Sequence, residues 1–95
     1  MAKFYVYILH CDNGSYYTGY TPDLARRYQA HLDGKCKYTR SFKPLRIAHS
    51  WFVEGEKADA MRVERYIKSL SRQQKEDLLL SPDDMMKQFD FIIPS

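Results

Sequence analysis

The sequence of 95 residues has only two cysteines, and their spacing matches no metal-binding motif. Cys11 and Cys36 are therefore expected to be reduced thiols, as in a cytoplasmic protein. No stretch approaches the roughly 20 apolar residues of a membrane helix, so we expect no membrane partner. The first residues lack the cleavage site of a signal peptide, and we expect them to form a strand.

Internal repeats, low-complexity segments and interdomain linkers are also missing, so we expect residues 1–95 to form a single domain. The net charge is only +3, but it is unevenly distributed. Residues 26–46 hold seven basic side chains against one acid, whereas residues 81–95 hold three acids against one base. A basic middle region of this kind suggests a site for a polyanion.

Two β-rich segments flank a strong turn signal. The segment KFYVYILHC at 3–11 is apolar on both faces in its middle and predicts a central strand. Asn13-Gly14 then predicts a hairpin, with SYYTGYT at 15–21 as the returning strand. Gly19 within that strand indicates a bulge or a close approach of another group.

The rest of the chain predicts helices around one further strand. Thr21 is the expected N-cap of a helix over 22–33, which Gly34 ends. An exposed loop is expected over 35–45. The later segments are a strand at 46–54, helices at 56–70 and 72–80, the second capped by Ser71, and a short helix opened by Ser81-Pro82. We therefore predict an α+β domain with a small three-stranded antiparallel sheet flanked by helices, in the order β-β-α-β-α-α.

Three ionisable residues stand in or beside apolar helix stripes. Arg27 and His31 border the stripe of the first helix, and Glu64 lies between Met61 and Ile67 on an expected inward face. A carboxylate buried there without a partner would cost several kcal/mol. One interpretation is structural, with Glu64 paired to a lysine four residues later and the other two covering the core edge.

The other interpretation is chemical. Together with hydroxyls from several tyrosines, the same residues could share one side of the sheet beside the basic loop. A glutamate, an arginine, a histidine and phenols would supply a ligand for a hard cation, a positive charge for an oxyanion, and candidate bases. This is the set of groups that phosphoryl chemistry requires.

The order of these motifs resembles the GIY-YIG nuclease superfamily. Tyr5-Val6-Tyr7, Tyr17-Thr18-Gly19, the segment LARRYQAH and the later Glu64 carry the resemblance, which covers about residues 3–75. The sequence looks most like the small stand-alone bacterial members. It differs from the family pattern at Tyr5, where the first triplet has glycine, and at Thr18, where the second has isoleucine.

The resemblance implies roles for individual residues. The implied catalytic residues are Tyr7, Tyr17, Arg27, His31 and Glu64, and Glu64 is also the implied metal ligand. Gly19 falls on the glycine that lets the substrate approach. We further expect Lys35, Lys37, Tyr38, Arg40 and Lys43 to bind nucleic acid, with Tyr38 and Phe42 available for stacking.

The expected function is a metal-dependent endonuclease that hydrolyses phosphodiester bonds in DNA with one Mg²⁺ or Mn²⁺ ion. Selectivity for DNA structure and a link to repair or recombination are left open at this point. Tyr7, Tyr17 and His31 all remain candidates for the general base. One alternative is a non-catalytic nucleic-acid-binding module that keeps the nuclease fold. Another is an interaction domain that uses the C-terminal segment DFIIPS, whose apolar residues must dock on the core or on a partner. The oligomeric state is open.

Overall fold

The computed structural model describes residues 3–93, and its elements follow the expected succession as far as α3. The first half consists of β1 (Lys3–Cys11), β2 (Tyr16–Thr21), α1 (Leu24–Leu32) and β3 (Pro44–Glu54). The second half consists of α2 (Lys57–Ser69), α3 (Arg72–Leu80), α4 (Asp84–Gln88) and β4 (Ile92–Ile93). No helix in this range is long and apolar enough to cross a membrane.

The sheet is antiparallel with strand order β2-β1-β3-β4, which confirms the predicted fold class. The prediction of three strands is wrong, because Ile92 and Ile93 pair with Val53 and Phe52 at the end of β3. The short helix expected after Ser81-Pro82 is confirmed as α4, and β4 is the element that the prediction lacked. Ile92 is 4% exposed in the core, so this part of the DFIIPS segment docks on the protein itself. Its last two residues lie outside the described range.

Two apolar clusters cover the two faces of the sheet. Side chains alternate between faces along a strand, so Val6 and Ile8 point away from Tyr7 and Leu9. The larger cluster contains Val6 and Ile8 together with the inward side of α2 and residues of α3 and α4. The smaller cluster contains Tyr7 and Leu9 together with Leu24 and Tyr28 of α1. The helices α1 and α2 therefore pack on opposite faces of the sheet.

The hairpin between β1 and β2 is confirmed, and its turn is fixed by local hydrogen bonds. Gly14 has φ of +84°, a conformation that glycine adopts without strain. Ser15 donates to the Asn13 side-chain oxygen from both its backbone N–H (3.1 Å) and its hydroxyl (2.6 Å). This turn brings β2 back along β1, with Tyr7 directly opposite Gly19.

The start of α1 differs from the prediction by two residues. Asp23, not Thr21, is the N-cap, and its carboxylate accepts from the Arg26 N–H at 3.1 Å. The Thr21 hydroxyl instead accepts from the Asp23 N–H at 3.1 Å, and this contact holds the chain in place as it leaves β2. Gly34 does end the helix as predicted, with φ of +75° just after the C-cap.

The inward side of α2 is Ala60, Val63 and Ile67, all fully buried. The expectation that Met61 points inward is wrong, because its side chain is 38% exposed. The buried positions follow the i, i+3, i+7 spacing of one helix face, and Glu64 lies one position beyond Val63, at the border of that face. The Ser71 cap of α3 is confirmed, since its hydroxyl accepts from the Gln74 N–H.

Candidate active site

A cavity of about 440 Å³ lies along the edge strand β2 and is lined by residues of β1, β2, α1 and α2. We call it the central cavity. Its lining includes five of the residues that the sequence singled out: Tyr7, Tyr17, Gly19, Arg27 and Glu64. The expectation that these groups share one side of the sheet is wrong. Arg27 comes from α1 and Glu64 from α2, so the two helices reach the cavity from opposite faces, around the edge of the sheet.

Gly19 makes the space that the Tyr7 ring occupies. A Cβ atom at position 19 would lie 2.6 Å from the Tyr7 hydroxyl oxygen and 2.8 Å from its Cζ. It would also lie 3.3 Å from Cε2 of Tyr17. Side-chain atoms essentially never approach this closely, so only glycine fits between the two phenols. The close approach expected at Gly19 is therefore made by a side chain of the neighbouring strand.

His31 is buried behind Tyr7 and does not line the central cavity. Its Nε2 lies 2.9 Å from the Tyr7 hydroxyl, and its Nδ1 lies 2.7 Å from the Thr39 hydroxyl. Since all three residues are only 1% exposed, the chain Thr39–His31–Tyr7 is a buried hydrogen-bonded relay that ends at the cavity wall. Contact between His31 and a bound substrate would pass through Tyr7.

Burial determines the protonation of this relay. Burial, reinforced by the nearby Arg27 charge, lowers the pKa of His31 below its ordinary value. Burial, followed by the neighbouring Tyr17, raises the pKa of Tyr7 well above that of a free phenol. Burial also raises the pKa of Tyr17, with smaller contributions that begin with Cys36. At neutral pH, therefore, His31 is a neutral ring with one acceptor nitrogen and both phenols keep their protons.

Glu64 makes the lysine pair expected under the structural interpretation, and it also faces the central cavity. Its carboxylate lies 3.8 Å from the Lys68 ammonium, four residues along the helix. Such a long surface pair contributes little to stability. The Glu64 side chain is 20% exposed and lines the central cavity, so water and ions can reach it.

The residues of the cavity suit one hard cation held by few protein ligands. Within residues 3–93 no group of three or more His, Cys, Asp or Glu side chains is placed to hold an ion. Glu64 is the single carboxylate among the described residues that line the cavity. Mg²⁺ is often bound by one or two carboxylates, with waters and substrate phosphates as the other ligands. A donor set of this kind therefore fits a single Mg²⁺ or Mn²⁺ ion.

The expected nucleic-acid-binding residues lie mostly on the connection between α1 and β3. Lys37 and Tyr38 line a second cavity of about 450 Å³, together with Tyr17, Ser41 and Phe42. We call it the aromatic cavity. Lys35, Arg40 and Lys43 are exposed on the same connection. The aromatic cavity adjoins the central cavity, because the Tyr17 ring lines both.

Three residues of this region were missed by sequence reasoning. Thr39 holds the far nitrogen of His31, and Lys57 and Tyr20 line the central cavity. Thr39 sits in a polar segment without periodicity, where nothing in the sequence distinguishes a buried hydroxyl from exposed ones. Lys57 is the first residue of α2, and its position at the cavity depends on where that helix begins in space.

Comparison with known proteins agrees with the motifs. Residues 3–77 match the family model described as the GIY-YIG catalytic domain. A UPF0213 protein of Halalkalibacterium halodurans is 50% identical over 76 residues, which are 79% of this chain and 80% of the relative. A UPF0213 protein of Halobacterium salinarum is 47% identical over 75 residues, 78% of this chain and 96% of the relative.

A solved structure agrees as well. The solution NMR structure of a UPF0213 protein from Bacillus halodurans is 49% identical and superposes with a TM-score of 0.52, covering 81% of this chain and 82% of the other. The resemblance inferred from the triplets and Glu64 is thereby confirmed. This chain belongs to the GIY-YIG family of nuclease-type hydrolases.

Proposed function

We propose that this protein is a metal-dependent endonuclease that hydrolyses phosphodiester bonds in DNA. The observation that carries the proposal is the composition of the central cavity. Two cations, Arg27 and Lys57, face one carboxylate, Glu64, and two phenols in the same space. These groups match the separate requirements of phosphate binding, metal binding and proton transfer.

The cationic side of the cavity binds the phosphate. Arg27 is exposed at the cavity wall, where its guanidinium can donate to a phosphate oxygen in two directions. Its positive charge opposes the extra negative charge that develops on the pentacovalent phosphate. Lys57 adds a second positive charge from the first turn of α2, which makes the cavity attractive to a polyanion.

The buried relay accepts the proton of the attacking water. In this step the water gives a proton to the Tyr7 oxygen while Tyr7 passes its own proton to Nε2 of His31. The lowered pKa of His31 supports this direction, because a neutral ring has a nitrogen free to accept. The step requires the tautomer in which the Nδ1–H donates to the Thr39 hydroxyl, 2.7 Å away, and leaves Nε2 as the acceptor. Tyr17 lacks such a relay and would position the substrate.

Glu64 would hold one Mg²⁺ or Mn²⁺ ion, which would supply positive charge at the phosphate and the leaving oxygen. The partial exposure of Glu64 allows the ion to keep several waters and to bind together with the substrate. The Lys68 ammonium lies 3.8 Å from the same carboxylate, and this weak surface pair would yield readily to an ion.

The test is cleavage of fluorescent branched, nicked and single-stranded DNA by the purified protein with Mg²⁺ or Mn²⁺. We expect Glu64→Gln and Arg27→Ala each to reduce the rate by about a hundred-fold or more, as for loss of one group that stabilises the transition state. Glu76→Gln is the matched control, because Glu76 is a surface carboxylate paired with Arg72 on α3. Its rate should equal that of the wild type.

The competing function is a nucleic-acid-binding module without turnover. It predicts salt-sensitive DNA binding that Glu64→Gln leaves unchanged and that changes at Lys37 and Arg40 weaken. Cleavage by all variants at equal rates would identify a contaminating nuclease and refute the proposed activity. Binding without cleavage by the wild type would favour the module. A preference for branched or nicked substrates would support a role in repair or recombination.

A further inference from the structure

The aromatic cavity is bounded by three rings that form a continuous column. The Tyr17 and Tyr38 rings are stacked, with centroids 5.1 Å apart and planes 28° from parallel. Phe42 extends the column at 5.7 Å from Tyr38, tilted by 50°. Tyr38 and Phe42 are each 38% exposed, although large rings on a connecting segment are costly to leave in water. Partly exposed aromatic rings grouped in this way are suited to stacking with a planar ligand.

The Tyr38 ring is held in place before any ligand binds. Its hydroxyl lies 2.9 Å from the Ser15 hydroxyl oxygen. Since the Ser15 hydroxyl proton goes to Asn13 at 2.6 Å, the Tyr38 O–H is the donor to Ser15. The turn of the hairpin thus fixes the orientation of a ring on the connection after α1. A ring that is already ordered loses less conformational freedom when a ligand stacks on it.

The position of the column restricts what that ligand can be. Tyr17 lines both the aromatic cavity and the central cavity, so the two sites are adjacent. Lys37, also in the lining, offers a cation for a backbone phosphate. In a nucleic acid, the nucleobase is the group near each phosphate that has a flat π-face. A base inside a duplex already stacks on both neighbours, so only an unpaired base can offer its face to these rings.

We propose that Tyr38 and Phe42 form a subsite for an unpaired nucleobase next to the phosphate in the central cavity. The inference rests on the proposed function and adds its substrate class: nucleic acid that is single-stranded or unpaired at the cleavage position. A duplex binds only through its phosphates. The connection between α1 and β3 is thus the element that selects the substrate.

The test uses a DNA single strand with a central 2-aminopurine, a base whose fluorescence falls when it stacks on an aromatic ring. EDTA in the buffer prevents metal-dependent cleavage, so binding is measured apart from catalysis. We expect the wild type to quench the fluorescence, and to bind this strand at least about ten-fold more tightly than the same sequence in a duplex. Binding of both is followed by anisotropy of an end label.

Matched variants distinguish stacking from general apolar contact. Tyr38→Leu and Phe42→Leu keep apolar bulk but remove the ring, and each should weaken single-strand binding by about ten-fold and abolish the quench. Tyr38→Phe keeps the ring and loses only the hydroxyl, so the quench should persist. Thermal unfolding of each variant confirms that it is folded.

Two results would overturn the inference: no quench by the wild type, or Leu variants that quench and bind as the wild type does. The proposed function is tested separately. Cleavage without a quench would refute the subsite and leave the nuclease activity intact. A quench without cleavage under any metal condition would support the subsite while refuting the nuclease.

Discussion

Gly19 is the residue on which the shape of the central cavity depends most directly. It lies opposite Tyr7 in the register of β1 and β2, and the Tyr7 ring fills the space above its Cα. Tyr7 cannot move aside cheaply, because its hydroxyl is tied to His31 at 2.9 Å. Even a small side chain at position 19 would therefore disturb the Thr39–His31–Tyr7 relay.

For Gly19→Ala we expect a loss of about 1–3 kcal/mol in the free energy of unfolding, since the added methyl group overlaps Tyr7. Urea denaturation measures the loss. The control is a double-mutant cycle with Tyr7→Leu, which removes the ring that the methyl group meets. The alanine should cost clearly less in the Leu background, and an equal cost in both would show that the clash with Tyr7 is not the cause.

Thr18 carries a buried polar atom without a partner among the described residues. Its side chain is 3% exposed on the face opposite Gly19, and its hydroxyl makes no hydrogen bond there. Thr18→Val replaces the hydroxyl by a methyl group of similar size. We expect it to raise the free energy of unfolding by about 1 kcal/mol, because the desolvation cost of the hydroxyl disappears.

Thr21→Val is the matched control for that prediction. Thr21 is equally buried, but its hydroxyl accepts from the Asp23 N–H and donates to the Asp23 carbonyl at 3.2 Å. The same substitution there should lower the free energy of unfolding by about 1 kcal/mol. If both variants shift stability in the same direction in chemical denaturation, hydrogen bonding does not distinguish the two sites.

At the scale of elements, β4 is held by very few residues. Ile92 is 4% exposed and contacts the larger cluster, whereas its neighbour Ile93 points to the other face and is only partly buried. We expect Ile92→Ala to cost about 2–4 kcal/mol in the free energy of unfolding, as for other buried large-to-small changes. Ile93→Ala should cost clearly less, and equal costs would mean that β4 does not dock as described.

The elements that the sequence predicted are those with a clear period or end signal. The strands β1 to β3 and helices α1 to α3 each span enough residues for alternation or a helical stripe to show. A strand of two residues has no period, so β4 was missed. Thr21 and Asp23 are both favourable N-cap residues for α1. Asp23 is the cap because of the path that the chain takes after β2, which the sequence does not specify.

At the scale of the whole molecule, the arrangement of the site was only partly predictable. The sequence and the family resemblance name five residues of the central cavity. They do not reveal that α1 and α2 lie on opposite faces, because an apolar stripe does not specify which face of a sheet it will cover. Nor do they place His31 behind Tyr7, which depends on how the connection after α1 folds over the helix.

Stability of the whole fold should decline in mild acid. Burial lowers the pKa of both His31 and His49 in the folded state. As the pH falls below about 6.5, the two histidines of the unfolded chain take up protons before those of the folded protein. The contribution to stability is complete above that pH and is lost as the pH falls toward the lowered pKa values of the folded state. Denaturant unfolding should therefore give a smaller free energy at pH 5.5 than at pH 7.5.

Variants assign that pH dependence to particular residues. His31→Gln and His49→Gln each remove one titrating ring, so the difference in stability between the two pH values should shrink in both. The prediction fails for His31 if its variant shows the same difference as the wild type. In cleavage assays the same titration should reduce activity on the acid side, because a protonated ring cannot accept from Tyr7.

The meeting of two faces at the strand β2 makes the central cavity a joint product of both layers of the fold. Arg27 and the relay belong to the layer built on the smaller cluster, while Glu64 belongs to the layer built on the larger one. A chain with only one layer assembled would hold either the arginine or the carboxylate of the central cavity, but not both. On the proposed function, a chain that lacked either layer would therefore not cut nucleic acid.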